Sequence, residues 1–152
     1  MANTYTQLYT HYVFAVHSRE CLILPEWQQE LYQYIIGIVR NRKQHVMAIG
    51  GVHDHVHLFV SMNPTISASS LMADVKRGSS KWVNDHRLVR GRFAWQEGFG
   101  AFSYAKSQSG TVIRYINNQE EHHRNKTFRE EYIDILEEFD VLFDEKYIFN
   151  DV

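Results

Sequence analysis

Two hydrophobic periods alternate along the chain. Tyr9-Thr10-His11-Tyr12-Val13-Phe14-Ala15-Val16 is β-branched and aromatic and predicts a first strand. From Pro25, the residues Trp27, Leu31, Tyr34, Ile35, Ile38 and Val39 recur at helical spacing, predicting a helix to about Lys43 with proline in its first turn. His45 to Gly50 predicts a second strand, and Gly50-Gly51 a bend or bulge. Another strand follows to about Met62 and is broken by Asn63-Pro64-Thr65. Ser67 or Ser69 caps a second helix that turns Leu71, Met72, Val75, Trp82 and Val83 inward. Phe93 to Ala105, aromatic and glycine-punctuated, predicts a further strand with an irregular start.

A third helix starts at Ser107 or Ser109 and carries Val112, Ile113, Tyr115 and Ile116 to about Glu121. Thr127-Phe128-Arg129-Glu130 forms a capping box for a last helix with Tyr132, Ile133, Leu136 and Phe139 on its apolar side. Tyr147-Ile148-Phe149 then docks or adds an edge strand. The order β-α-β-β-α-β predicts an α/β (α+β) sandwich, ferredoxin-like or RRM-like, with a central antiparallel sheet. The 152 residues suit one domain over 1–152 with its own core.

Charge divides this frame unevenly. Residues 120–152 hold eleven acids against four bases, although the chain as a whole is only −2. Lys76, Arg77, Lys81, Arg87, Arg90 and Arg92 cluster against the single acid Asp85. A basic body with an acidic tail suits phosphate-backbone binding with a repulsive outer face, although a solvated helix and loop would read the same way. One cysteine, Cys21, excludes an internal disulfide and fits a reducing compartment. No apolar run approaches the roughly 18 residues of a membrane span. Met1 to Tyr9 has neither the basic start nor the apolar stretch of a signal peptide, so the expected location is the cytoplasm.

The chemistry concentrates in His53-Asp54-His55-Val56-His57-Leu58. Residues i and i+2 of a strand share a face, so His55 and His57 project together as two imidazole donors. His53 stands as a flanking residue beside the glycine pair, and the adjacent His122 and His123 diverge by about 100° on a helix. Tyr115 and Gln119, spaced i and i+4, share a helical face. Facing the histidines, they would offer a carboxamide ligand and a phenol nucleophile. Away from them, they are a core tyrosine and an exposed glutamine.

His55-Val56-His57 resembles the His-hydrophobic-His signature of HUH single-strand endonucleases. With Tyr115-Ile116-x-x-Gln119 downstream, the chain resembles the single-tyrosine transposases of the insertion-sequence 200/605 family, from the first strand to the Gln119 helix. Trp95 to Ser103 is similar to that family's aromatic strand, whereas His17-Ser18-Arg19 departs from the Lys-Arg that relatives often carry. The resemblance implies His55, His57 and Gln119 as ligands of a divalent metal, Mg²⁺ or Mn²⁺, and Tyr115 as the nucleophile. It implies excision and insertion of a mobile element through a 5′-phosphotyrosine, by a homodimer acting on single-stranded DNA with hairpin ends. Lys76, Arg77, Lys81, Arg87, Arg90 and Arg92 are the candidate backbone contacts. Phe99 and Phe102 stack on bases or pack in the core. A domesticated repeat-associated nickase, and a ferredoxin-like module that binds nucleic acid without cutting it, are the alternatives.

Overall fold

The computed structural model describes residues 3–152; the first two residues of the expected 1–152 domain lie outside the described residues. Strands β1 (Leu8–Ala15), β2 (His45–Val52), β3 (His55–Met62) and β4 (Gly100–Tyr104) form one sheet in the order β2-β3-β1-β4. Every pairing is antiparallel. Helices α1 (Pro25–Asn41) and α2 (Ala68–Asp85) supply the two crossovers, which gives the expected ferredoxin-like topology. Three further helices, α3 (Ser109–Asn117), α4 (Gln119–His122) and α5 (Phe128–Glu138), follow the last strand.

Strand alternation sorts the core into two layers. Tyr12, Phe14, Val56, Leu58 and Val60 face α1 and α2. Trp27, Leu31, Ile35 and Val39 repeat every fourth residue of α1 and bury its stripe there, beside Leu71, Met72 and Val75 of α2. Val13, Ala15 and Phe102 face the other way, under Phe128, Tyr132, Ile135 and Leu136 of α5. Phe59 and Ala48 lie on that same side under Val112 and Ile116 of α3.

Several boundaries differ from the sequence reading, each for a local reason. Helix α1 ends at Asn41 because Lys43 turns left-handed, with φ 64°. Tyr34 leaves the buried stripe and stacks on Trp82 at 5.6 Å. Ser67 is the cap of α2 and accepts from Ser70 N. Strand β2 runs straight through Gly50-Gly51, and its irregularity falls between Val46 and Ala48. Gly50 instead provides clearance, since a Cβ there would stand 2.5 Å from the Ile116 carbonyl oxygen. His53 lies in the β2–β3 turn, so the histidine strand begins at His55. Only Gly100–Tyr104 of the Phe93–Ala105 stretch is strand; Trp95 makes an isolated bridge to Val16. Thr127 and Glu130 form the expected capping box, and Phe149 docks on Phe128 and Tyr132 without adding a strand. Phe102 is core, and Phe99 packs on Tyr12. No helix of the described residues is long and apolar enough to cross a membrane.

Candidate active site

Strand β3 projects His55 and His57 to the α3–α5 side of the sheet, where both are fully buried. Each ring is held by its Nδ1. Asp54 Oδ1 lies 2.7 Å from His55 Nδ1, and His11 Nε2 of β1 lies 2.7 Å from His57 Nδ1. The two Nε2 atoms therefore face a common point, and a carboxylate from α5 meets them there. Glu131 Oε1 is 3.3 Å from His55 Nε2 and 3.1 Å from His57 Nε2. His123 Nε2 reaches the same oxygen at 3.1 Å.

The tyrosine helix completes the cluster. Helix α3 stops at Asn117, and α4 restarts at Gln119 after a cap at Asn118, where one continuous helix to Glu121 was expected. Across that break Tyr115 and Gln119 still converge. Gln119 Oε1 lies 3.0 Å from His55 Nε2 and 3.1 Å from His123 Nε2. Gln119 Nε2 donates to Glu131 Oε2 at 3.1 Å, and the Tyr115 hydroxyl donates to that same oxygen. The Tyr115 ring stands edge-on to His57 at 5.7 Å and lies 4.5 Å from the His122 ring.

Electrostatics follow from the packing. Burial opposes ionisation of Glu131, but hydrogen bonds from His123, His55 and His57 outweigh it and hold the carboxyl well below its ordinary range. Burial likewise opposes charge on His55, yet Asp54 and Glu131 prevail and raise its pKa to about 9. His57, equally buried, is lowered: desolvation outweighs the Glu131 carboxylate, and a charged His55 adds to it. His11 is lowered well below the ordinary histidine value by burial and by His57. For Tyr115, burial and then the Glu131 charge push the phenol upward, so the chain's own groups keep it protonated.

His55, His57 and Glu131 each offer one ligand atom, all within 4.8 Å of one another. Two imidazoles and a carboxylate, with a carboxamide oxygen beside them, suit a hard-to-borderline divalent cation. The rings are already oriented by outer partners on Nδ1, as metal-binding histidines are. The donor set fits a metal.

The structure thus brings together His55, His57, Tyr115 and Gln119. It adds Glu131 and His11, which the sequence reading missed, and His123, which it set aside with His122 as a diverging pair. Glu131 had counted as part of a repulsive acidic tail; it is 4% exposed, one turn from Phe128 and Ile135 on the buried face of α5. An acid in phase with that apolar stripe was the available signal. His11 had a similar one, lying in register with Val13 and Ala15. His123 had none, because the turn after α4 decides where it points.

The basic residues do not join the site. Lys76, Arg77 and Lys81 sit on α2, across the sheet from the histidines. Lys76 donates to the carbonyls of Gln96 and Gly98, Arg77 pairs with Asp74, and Lys81 with Asp85. Arg87, Arg90 and Arg92 are exposed in the loop after α2.

A family model described as "Transposase IS200 like" matches residues 4–119. No curated protein matches the chain in sequence. Among solved structures, a protein assigned as a transposase of Deinococcus radiodurans R1 superposes with a TM-score of 0.61 at 17% identity, covering 78% of this chain and 95% of its own. A REP-associated tyrosine transposase bound to a REP hairpin superposes with a TM-score of 0.59 at 16% identity, covering 99% of this chain and 91% of its own.

Proposed function

The chain belongs to the family of IS200-like transposases, and from that premise we propose that it cleaves and rejoins single-stranded DNA through a 5′-phosphotyrosine at Tyr115. The observation that carries this reading is the meeting of the Tyr115 hydroxyl with two Nδ1-anchored imidazoles on one buried carboxylate. On this reading residues 1–152 work as one catalytic domain in the cytoplasm.

In the reaction, the Tyr115 oxygen attacks phosphorus in line and the bond to the 3′ oxygen breaks. The phenol gives up a proton and the leaving oxygen gains one, producing a free 3′-hydroxyl. The phosphotyrosine keeps the ester, so another 3′-hydroxyl can reverse the attack without ATP. A divalent cation, Mg²⁺ or Mn²⁺, held by His55, His57 and Gln119 together with Glu131, supplies Lewis-acid polarisation of the phosphodiester when bound. Burial of the ligands excludes competing water, and the packing of α3 on β2 and β3 sets the position of the phenol. Excision of an element involves two DNA ends and each chain offers one Tyr115, so two chains act together as a homodimer. Arg87, Arg90 and Arg92, with Lys76, Arg77 and Lys81 more constrained, contact the DNA backbone away from the cleavage centre.

The test is incubation of the full chain with end-labelled single strands bearing hairpins, with Mn²⁺. Wild type forms a covalent protein–DNA adduct and Tyr115→Phe forms none. Equal adduct in both proteins, or none in either, overturns the reading.

One observation favours a second reading, a repeat-associated nickase. The REP-associated structure covers nearly this whole chain, whereas the Deinococcus structure covers about four fifths of it. Preferential cleavage beside a hairpin, with no rejoining of a second end, supports that role over element mobility.

A further inference from the structure

A cavity of about 480 Å³ opens beside the Tyr115 ring, between β4, α3 and α5. Glu131 and the Tyr115 ring line it as well, so it opens directly beside the catalytic cluster. Its walls include the rings of Tyr104 and Tyr115 and the side chain of Ile135. His11 forms part of its lining, and His11 Nδ1 is a buried nitrogen with no hydrogen-bond partner. A buried polar atom without a partner costs about 1–3 kcal/mol, so a ligand that satisfies it gains from doing so. Asp134 and Glu138 line the same cavity and are exposed; Asp134 pairs with Lys126, whereas Glu138 makes no salt bridge among the described residues.

We propose that this cavity takes the unpaired nucleobase next to the cleaved phosphodiester, and that it selects bases carrying an exocyclic amino group over thymine. The proposal rests on the transesterase reading for the source of the base. Three features define the ligand. Aromatic and apolar walls suit a flat ring, and stacking on aromatic side chains is a major term in single-strand binding. Lys126, which also lines the cavity, offsets Asp134, and Glu138 is left at the opening as a carboxylate that accepts hydrogen bonds only. His57 Nε2 donates to Glu131, so His57 Nδ1 accepts from His11 Nε2 and the neutral His11 ring presents its unpartnered Nδ1 as a further acceptor; the amino group of cytosine, adenine or guanine, with two N–H donors, suits such acceptors. Thymine carries a carbonyl oxygen where cytosine has its amino group, and its one base donor, the ring N3–H, lies between two carbonyl oxygens that a facing carboxylate repels.

The test uses free deoxynucleosides, which carry no phosphate, and the full-length Tyr115→Phe chain, which is incapable of cleavage. Deoxycytidine and deoxyadenosine are expected to shift the ring resonances of Tyr104 and the methyl resonances of Ile135, with thymidine at least fivefold weaker. Glu138→Leu is expected to level that difference, while Tyr104→Ala weakens all nucleosides about tenfold. Absence of shifts at Tyr104 and Ile135 with every nucleoside overturns the proposal, as does equal binding of thymidine. The adduct assay on wild type separates the two readings. Nucleoside selectivity without adduct keeps the cavity and removes the transesterase; adduct without selectivity does the reverse.

Discussion

His11 Nε2 on β1 lies 2.7 Å from His57 Nδ1 on the neighbouring strand β3, and the two rings stack at 4.9 Å. A residue outside the His-Val-His motif therefore orients one of its members. Outer partners of this kind change metal affinity by about 10–100-fold. His11→Phe keeps a flat ring but loses the hydrogen bond. Its Mn²⁺ affinity, measured by calorimetry on folded protein, is expected to fall by about that factor. Unchanged affinity would show that β3 and Glu131 alone orient His57.

Glu131→Gln tests the carboxylate that the tail contributes. The substitution is nearly isosteric and removes the charge that three imidazoles and the Tyr115 hydroxyl share. Removing a direct ligand costs more than removing an outer partner, so Mn²⁺ affinity is expected to drop by at least about 100-fold. In the metal-free protein the His55 pKa falls, as read by NMR titration of the ring. Retention of wild-type affinity would leave Gln119 as the oxygen ligand and assign Glu131 to positioning alone.

The metal-free protein is expected to be most stable near the ordinary histidine pKa of about 6.5. His55 has a raised folded pKa of about 9, so its contribution is full below 6.5 and is lost as pH rises towards 9. His57 and His11 have lowered folded pKa values, so stability is lost as pH falls below 6.5 and the unfolded chain takes up their protons. Urea unfolding in chelator across pH 5 to 9 reads both limbs. A monotonic profile would contradict the opposed shifts.

Gly50→Ala probes the seat of the tyrosine helix. Gly50 pairs with His57 in register, and an added methyl would meet the Ile116 carbonyl, one residue from Tyr115. Both partners are backbone, so α3 is displaced. A loss of about 1–3 kcal/mol is expected, typical of overpacking. Adduct formation, scored on the folded fraction, falls with it. Full activity at reduced stability would show that the phenol position tolerates movement of α3.

The crossover order and the shared face of His55 and His57 were legible in the chain, because they follow from local periods: two along a strand, 3.6 along a helix. The pairing of Tyr115 with Gln119 was legible for the same reason and survived the break at Asn118. Glu131 was not, because eleven acids in one segment read as a solvated face, and only the docking of α5 on Val13 and Ala15 buries one of them. The layer that carries the basic cluster was not legible either: the α2 crossover places Lys76, Arg77 and Lys81 on the other side of the sheet from the histidines.

Amino-acid order alone therefore specified the elements and which residues within each element share a face, since backbone geometry sets both over a few residues. Which faces meet was settled by folding. The partners of His57 come from β1 and α5, distant along the chain, and sheet register and helix docking bring them within hydrogen-bonding distance. A local pattern holds no information about such contacts, because they depend on how whole layers bury their apolar surface against one another.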